Sequence, residues 1–487
     1  MTYLLQGKNN NTYEIVIGCE IHAQIASDSK LFSRASTTFG SEQNSQVSLI
    51  DCAMPGTLPT LNVKCVEQAV KTGLGINAKI NLESIFDRKN YFYPDLPQGY
   101  QISQFSHPIV GEGAVEIELE NGEKKTINIE RIHLEQDAGK SIHDQHPSLS
   151  LIDLNRSGVG LMEIVSKPDM SSPFEASQYV KTIRAIMRSL GTCDGDMEKG
   201  NLRCDANISV RKVGELKLGT RCEIKNLNSM RNISRAIEFE AKRQIEIIEN
   251  GSAIKQETRL FDAVTGETRT MRSKEDAMDY RYFPDPDLPP LVLTQNFVDN
   301  IKKSLNELPQ ARKQRYVDEL AIAEYDASVI TADGQTIIYF EELIKKHEPK
   351  LCVTWLTVEL FGRMNKLSLN FENLKVKASD LINLLDLIKS GEISGKIAKD
   401  VLDIMIETGE SASQIVENKG LKQVSDIGAL EKIIAEVLKN NPENLAKYQS
   451  GDEKLFGFFV GQIMKQSKGQ ANPQLVNKIL KEKILVK

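Results

Sequence analysis

Hydrophobic and polar positions alternate along several short segments in the first 290 residues. Consecutive residues of a β-strand point to opposite faces of a sheet, so this alternation predicts strands with one buried face. Asn121-Gly122 lies between two alternating runs and predicts a β-hairpin. The segments that show the pattern most clearly are YEIVIGCEIHAQI, AVEIELENGEKKTINIERIHLE and CDANISVR.

Helical spacing of apolar residues occurs within the same part of the chain, from Ser172 to Leu190 and from Asn228 to Asn250. Helices interspersed with hairpin-forming strands are typical of an α+β fold. We therefore predict an N-terminal α+β domain built on a largely antiparallel sheet.

A proline-rich stretch, FPDPDLPPL, marks a change in the pattern near residue 290. Proline removes a backbone donor and restricts the preceding residue, so this stretch predicts a loop or linker. Beyond it the apolar spacing is helical to the end of the chain. The predicted domains are 1–294, an all-helical region 295–409, and a small helical tail 410–487.

Composition excludes several classes of protein. The 487 residues are 40% hydrophobic and 26% charged with a net charge of −6, which excludes a fully disordered chain and a binder that relies on bulk positive charge. None of the seven cysteines forms a C-x-x-C pair, which argues against a disulfide scaffold and a structural zinc site. With no signal-peptide pattern and no apolar run of about 20 residues, we expect a cytoplasmic protein without a membrane span.

The motifs of common enzyme classes are absent from the sequence. There is no G-x-x-x-x-G-K-[ST] loop for nucleotide phosphates, no G-x-S-x-G turn and no H-E-x-x-H metal motif. Any catalytic site must therefore be sought in the polar faces of the predicted strands.

Four strand-like segments each carry a carboxylate on the polar face. If these faces converge, they form a carboxylate-rich nest with one histidine, which suits a hard divalent cation such as Mg²⁺. Arginines on the same faces could contact phosphate oxygens. The alternative is a half-exposed sheet whose charges serve solubility alone. The residues of the predicted nest are Glu20, His22, Glu135, Asp205 and Glu223.

Two segments rich in tyrosine and proline, 86–97 and 279–287, have a second possible role. Arginine and tyrosine near prolines can stack on unpaired bases of RNA. Alternatively, the tyrosines cover loops and fix them through their hydroxyl groups.

Long motifs in order along nearly the whole chain resemble one family. The chain is similar to the B subunit of the bacterial-type aspartyl/glutamyl-tRNA(Asn/Gln) amidotransferase, the GatB/GatE family, with a YqeY-like C-terminal tail. The motifs are IGCEIHAQ (17–24), PGTLPTLN (55–62), FDRKNYFYPDLPQGYQISQ (86–104), IHLEQDAGK (132–140), NRSGVGLMEIVSKPD (155–169), GNLRCDANISVR (200–211), DYRYFPDPDL (279–288), SGKIAKDVL (394–402) and GFFVGQIMKQSKGQANPQLVNKIL (457–480).

The resemblance implies an ATP-dependent carbon–nitrogen ligase that works in protein biosynthesis. It implies that ATP and Mg²⁺ are used to phosphorylate the side-chain carboxylate of Glu-tRNA(Gln), Asp-tRNA(Asn) or both. Ammonia from a glutaminase A subunit then gives Gln-tRNA(Gln) or Asn-tRNA(Asn), and a small C subunit completes a heterotrimer. No Ser/Lys amidase motif is present, so we expect that this chain does not hydrolyse glutamine itself.

The resemblance also implies roles for individual residues. It maps the five residues of the predicted nest to the family's catalytic metal pocket. Arg203 and Lys225 are the predicted contacts to the nucleotide. The resemblance implies that domain 1–294 is the catalytic domain. It also implies that the helical region and the tail 410–487 bind the tRNA body.

Two other functions remain open. The chain could be a non-catalytic tRNA-binding scaffold of the same complex, which would not need converging carboxylates. It could also be a free-standing metal hydrolase, which would be active without partners.

Overall fold

The computed structural model describes residues 3–8, 10–273, 280–371, 373–422, 427–467, 471 and 473–485. The chain divides into two compact units, Met1–Pro309 and Gln310–Lys487. Within the described ranges, no helix is long and apolar enough to cross a membrane.

The first unit contains sixteen described strands, which form one large sheet and three small ones. The strands are β1 (Leu4–Gln6), β2 (Thr12–Gln24), β3 (Glu83–Ser84), β4 (Asp87–Asn90), β5 (Tyr100–Ser103), β6 (Gly113–Glu118), β7 (Lys124–Gln136), β8 (Lys140–Ile142), β9 (Leu151–Asp153), β10 (Gly160–Ser166), β11 (Leu202–Lys212), β12 (Cys222–Leu227), β13 (Glu257–Phe261), β14 (Thr268–Ser273), β15 (Phe283–Pro284) and β16 (Leu291–Val292).

The large sheet has the order β14-β13-β12-β11-β2-β10-β7-β6, with β1 added at one end of β2. Strands β12 and β13 are parallel, and the other described pairs of this sheet are antiparallel. Burial alternates residue by residue along the whole of β2. The predicted hairpin forms from β6 and β7, and Gly122 in its turn has a φ of 80°, a conformation that favours glycine. The predicted α+β fold on a mainly antiparallel sheet is confirmed.

Three helices cover the apolar face of the large sheet, and a fourth packs against the first of them. They are, in chain order, α1 (Val63–Gly75), α2 (Pro173–Leu190), α3 (Met230–Glu249) and α4 (Gln295–Lys303). Ser172 and Ser229 cap α2 and α3 by accepting from backbone N–H groups in the first turn, which explains why both helices begin where the sequence predicts. The buried residues of these helices and strands form one continuous hydrophobic core.

The proline-rich stretch is not a free linker. Phe283–Pro284 pairs with β4 and Leu291–Val292 pairs with β3, and the buried Asp285 accepts from Arg88 Nε at 2.8 Å. Helix α4 then packs against the first core through Phe297 and Val298. Helix α4 thus lies within the first compact unit, which extends to Pro309.

The described elements of the second unit are all helical. They are α5 (Pro309–Asp318), α6 (Glu324–Thr331), α7 (Gly334–Ile344), α8 (Pro349–Val353), a π-helix (Thr354–Leu360), α9 (Phe361–Lys366), α10 (Ala378–Lys389), α11 (Gly395–Thr408), α12 (Ala412–Asn418), α13 (Ile427–Asn440), α14 (Pro442–Gln449), α15 (Leu455–Gln466) and α16 (Pro473–Leu485). This agrees with the helical C-terminal part that the sequence predicts.

The described residues of this unit form two hydrophobic cores. One runs from Tyr316 to Val416 and the other from Leu430 to Ile484. Helix α12 packs into the first of them through Ala412, Ile415 and Val416. Residues 410–421 therefore pack with the middle helices, although the sequence pattern assigned them to the tail. The division into three domains stays a prediction.

Candidate functional site

The polar face of the large sheet gathers charged residues from its four central strands. The register of β7, β10, β2 and β11 places most of these residues in two rows across the sheet, with Val165 as the apolar member of the second row. Because the apolar residues of the same strands pack into the core, the alternation forces the charged ones onto the opposite face. One row is His133, Glu163, His22 and Arg203, and the next is Arg131, Val165, Glu20 and Asp205.

Two histidines and two glutamates of this face interleave. His22 Nε2 lies 3.3 Å from Glu163 Oε2 and 3.8 Å from Glu135 Oε1. His133 Nε2 lies 3.4 Å from Glu163 Oε2 and 3.5 Å from Glu135 Oε2. All four side chains are at least four-fifths buried, so each charge acts on its neighbours through little water.

The pKa values of the cluster follow from this packing. Burial alone would lower the pKa of His133, but the neighbouring Glu163 and Glu135 raise it to about 9. Burial would raise the pKa of Glu163, but the imidazoles of His133 and His22 hold it well below its usual range. The cluster therefore keeps its carboxylates ionised at neutral pH.

Three residues of the cluster fit a divalent metal ion. One ligand atom each of His22, Glu135 and Glu163 lies within 4.8 Å of the other two, and they form the one such group among the described residues. Two ionised carboxylates with an imidazole suit Mg²⁺ or Mn²⁺.

Glu163 is absent from the residues predicted from the sequence, although it lies in one of the motifs that carry the family resemblance, residues 155–169. In GLMEIVS, Met162 and Ile164 are fully buried in the core. The alternation along this segment therefore puts Glu163 on the polar face with His22, and this pattern is the signal that identifies it.

Two other residues of the predicted nest, Asp205 and Glu223, form a second group around Lys225. Lys225 Nζ lies 2.6 Å from Asp205 Oδ2 and 2.8 Å from Glu223 Oε1. A β-bulge in β12 sets Lys225 and Asn226 opposite Asp205, and Asn226 takes a φ of 71°.

Glu20 lies between the two groups. Its Oε1 accepts from Asn207 Nδ2 at 2.9 Å. Burial raises the pKa of Glu20, and the charges on Glu163 and Glu223 raise it further. Glu20 therefore holds a proton more readily than an ordinary glutamate. The five predicted residues share one face, but only His22 and Glu135 belong to the metal-type group.

Arg203 is turned towards a different partner. Its Nη2 donates to Asp137 Oδ2 at 3.0 Å, and Arg156 Nε lies 3.4 Å from the same oxygen. The predicted role of Arg203 in nucleotide binding stays a prediction.

A cavity of about 350 Å³ lies over the cluster. Its walls come from the polar face of the large sheet and from the two tyrosine-rich segments. Lys89 lies over the ring of Tyr280 at 4.9 Å, and Phe105 stacks on Tyr282 with ring centroids 4.3 Å apart. The two segments singled out in the sequence thus meet at one cavity. Asp279, the first residue of the second segment, lies outside the described residues.

A second cavity of about 540 Å³ adjoins the first. Glu20, Asn207, Arg221 and Gln256 line both. The two cavities together provide room for a ligand larger than an amino acid along one polar face, and Arg221 borders both.

Comparisons with known proteins agree with this architecture. The family model described as the GatB/GatE catalytic domain matches residues 15–299, and the one described as the GatB domain matches residues 338–484. The B subunit of the aspartyl/glutamyl-tRNA(Asn/Gln) amidotransferase of Rickettsia bellii (strain RML369-C) is 59% identical over 476 residues, 98% of each protein. The protein of the same name from Pelagibacter ubique (strain HTCC1062) is 57% identical over 486 residues, 99% of this chain and 98% of the relative. The chain belongs to the GatB family of aspartyl/glutamyl-tRNA(Asn/Gln) amidotransferase B subunits.

Proposed function

We propose that this chain activates the side-chain carboxylate of Glu-tRNA(Gln), Asp-tRNA(Asn) or both with ATP, and then amidates it with ammonia. The observation that carries the proposal is the group of His22, Glu135 and Glu163 at the floor of a cavity. A scaffold that only bound tRNA would have no use for two buried, ionised carboxylates at a metal-type site.

The reaction needs activation because a carboxylate is a poor acceptor for a nucleophile. Transfer of the γ-phosphoryl group of ATP to a carboxylate oxygen releases ADP and gives an acyl phosphate. Ammonia then attacks the acyl carbon, phosphate leaves, and the nitrogen loses a proton to give the amide.

The residues of the cavity have distinct roles in this proposal. His22, Glu135 and Glu163 would hold Mg²⁺, which neutralises charge on the phosphoryl oxygens when bound. Lys225 and Arg221 would place positive charge near the phosphates of ATP. Arg203 is proposed as a further contact to the nucleotide. Glu20 has a raised pKa and is therefore suited to accept the proton that the attacking nitrogen loses.

Partners complete the proposed enzyme. A glutaminase A subunit would supply ammonia, and a small C subunit would complete a heterotrimer. The helical second unit would bind the tRNA body. The name shared by the relatives, which describes a B subunit of a tRNA amidotransferase, supports a multi-subunit complex that acts on tRNA.

The decisive experiment uses the chain assembled with its A and C subunits. Ammonium replaces glutamine, so that the glutaminase step is bypassed, and ADP and Gln-tRNA are measured with Glu-tRNA(Gln), ATP and Mg²⁺. We expect Glu163→Gln to lower both rates at least about 100-fold, because groups that merely orient metal ligands already contribute about 10- to 100-fold.

A matched control is Glu175→Gln, since Glu175 is also buried and ion-paired, at 2.8 Å to Lys125, but lies at the start of α2 outside the cavities. It should leave both rates near those of the wild type. Wild-type rates in Glu163→Gln would instead favour the tRNA-binding scaffold, and activity of the isolated chain without tRNA would favour the metal hydrolase.

A further inference from the structure

Gln104 occupies a rigidly held position on the wall of the first cavity. It follows β5, between Ser103, whose Oγ donates to Glu135 Oε2 at 3.3 Å, and Phe105, whose backbone N–H donates to Asp87 Oδ2 at 2.9 Å. Phe105 is held again by its stacking on Tyr282. Because both neighbours are fixed, the backbone of Gln104 has little freedom to move.

The side-chain amide of Gln104 can take only one orientation. Its Oε1 accepts from the backbone N–H groups of Ile109 and Leu134, each at 3.1 Å. The N–H of Leu134 needs this partner because backbone pairing on that side of β7 ends at the bridge between Val110 and Ile132. Both partners are donors, so the oxygen must face them and the NH₂ group must face away.

The NH₂ group of Gln104 is buried and has no hydrogen-bond partner. The same holds for Arg131 Nε on β7, and both side chains line the same cavity. Buried donors without acceptors are destabilising and uncommon in folded proteins. Two of them around one cavity indicate a ligand that brings acceptor oxygens.

We propose that Gln104 is a specificity-determining residue, whose amide nitrogen donates a hydrogen bond to an anionic oxygen of the substrate in this cavity. The inference rests on the proposed function and adds a residue to it. A carboxylate oxygen of the aminoacyl group and a phosphoryl oxygen of ATP have the same acceptor chemistry. A carboxamide product would present its own NH₂ group in one of its two orientations, so the donor also favours the acid over the amide.

The test is Gln104→Glu in the assembled complex, with separate KM values for Glu-tRNA(Gln) and ATP. Glutamate keeps the oxygen that accepts from the N–H groups of Ile109 and Leu134, and it replaces the NH₂ group by a second oxygen. We expect one KM to rise at least tenfold with a smaller change in kcat. A rise for Glu-tRNA(Gln) assigns the donor to the carboxylate, and a rise for ATP assigns it to a phosphoryl oxygen.

Gln101→Glu is the matched control. Gln101 lies on β5 and is buried, but its Nε2 donates to the carbonyl of Gln136 at 2.7 Å and it does not line the cavity. It should change stability and leave both KM values at those of the wild type. Gln104→Met, which also lacks the NH₂ group at similar volume, serves as a second variant if Gln104→Glu does not fold.

The outcomes separate this inference from the function on which it rests. A wild-type complex that forms no Gln-tRNA and no ADP contradicts the proposed function itself. An active wild type with unchanged KM values in the Gln104 variants, or with a fall in kcat alone, overturns the role of Gln104. If a variant is too slow for kinetics, the Kd values for Glu-tRNA(Gln) and ATP replace KM in the same comparison.

Discussion

At the scale of single residues, the order of the strands decides which charges meet. Glu163 Oε2 of β10 lies 3.3 Å from His22 Nε2 of β2 and 3.4 Å from His133 Nε2 of β7. Alternation placed Glu20, His22 and Glu135 on one polar face, and the strands bear this out. It could not show that Glu163 of β10 would lie between two histidines, since contacts across a sheet depend on strand order and register. It also could not show that Lys225 would neutralise two carboxylates of the predicted nest.

Tyr13 gives a residue-scale prediction that is independent of the site. Its buried hydroxyl donates to Glu249 Oε1 at 2.6 Å, and burial together with this bond raises its pKa from 10.0 to about 12. Because the folded-state pKa is the higher one, the contribution to stability is complete below about pH 10 and is lost as the pH rises through about 12. Tyr13→Phe should cost about 1–2 kcal/mol at pH 8.

The measurement is urea unfolding of both proteins at pH 8 and pH 11, followed by circular dichroism. The difference in free energy of unfolding between wild type and Tyr13→Phe should shrink at the higher pH. Tyr325→Phe, at a tyrosine that is 79% exposed, is the control and should leave stability unchanged. An equal difference at both pH values would contradict the assignment.

At the scale of elements, the sequence predicts those features of helices and turns that depend on neighbouring residues in the chain. Helices α2 and α3 begin at serine caps, and the β6–β7 hairpin turns at Asn121-Gly122. It did not predict that 283–292 would form short strands with β3 and β4, because those pairings join segments about 200 residues apart. Proline content alone shows that a segment is irregular and says nothing about where it packs.

The long connection between β2 and α1 gives an element-scale prediction. The ammonium of Lys30 is fully buried, 2.8 Å from Asp51 Oδ2 and 3.3 Å from the carbonyl oxygen of Leu154, so it joins this connection to the end of β9. Lys30→Met leaves the buried carboxylate of Asp51 without its counter-charge and should destabilise the chain by about 3–5 kcal/mol.

The double variant Lys30→Met/Asp51→Leu should recover most of that loss in urea unfolding, because the uncompensated charge is gone. The control is Lys64→Met, whose ion pair with Glu67 is about half exposed and should contribute no more than about 1 kcal/mol. A double variant as unstable as Lys30→Met alone would show that packing, and not charge, explains the effect.

At the scale of the whole molecule, the hydrophobic cores show which helices pack together, and composition along the chain does not. The proline-rich stretch near residue 290 precedes the helical part of the chain, but α4 packs on the first core. Likewise the predicted tail begins at 410, yet α12 is buried in the core of the middle helices. Apolar periodicity shows that a helix has a buried face and leaves open which core receives it.

Because α12 packs into the core of the middle helices, two truncations of the tail should differ in their effect on stability. A chain that ends at residue 422 loses the core of Leu430 to Ile484 but keeps α12 with its own core. A chain that ends at 409 also removes the buried side chains of Ile415 and Val416, each of which contributes about 1.5–3 kcal/mol of burial. We therefore expect the 422 form to retain the stability of the remaining fold and the 409 form to be less stable by several kcal/mol.

The proposed tRNA role of the tail predicts a kinetic result for the more stable form. In the complex with A and C subunits, the chain ending at 422 should show a KM for Glu-tRNA(Gln) raised about tenfold or more, because contacts to the tRNA body are lost. Its KM for ATP should not change, since His22, Glu135 and the rest of the cavity lie within the first unit. Equal KM values for tRNA with and without 423–487 would contradict the tail's role. A raised KM in the 409 form alone would attribute the effect to the damaged middle core and not to lost tRNA contacts.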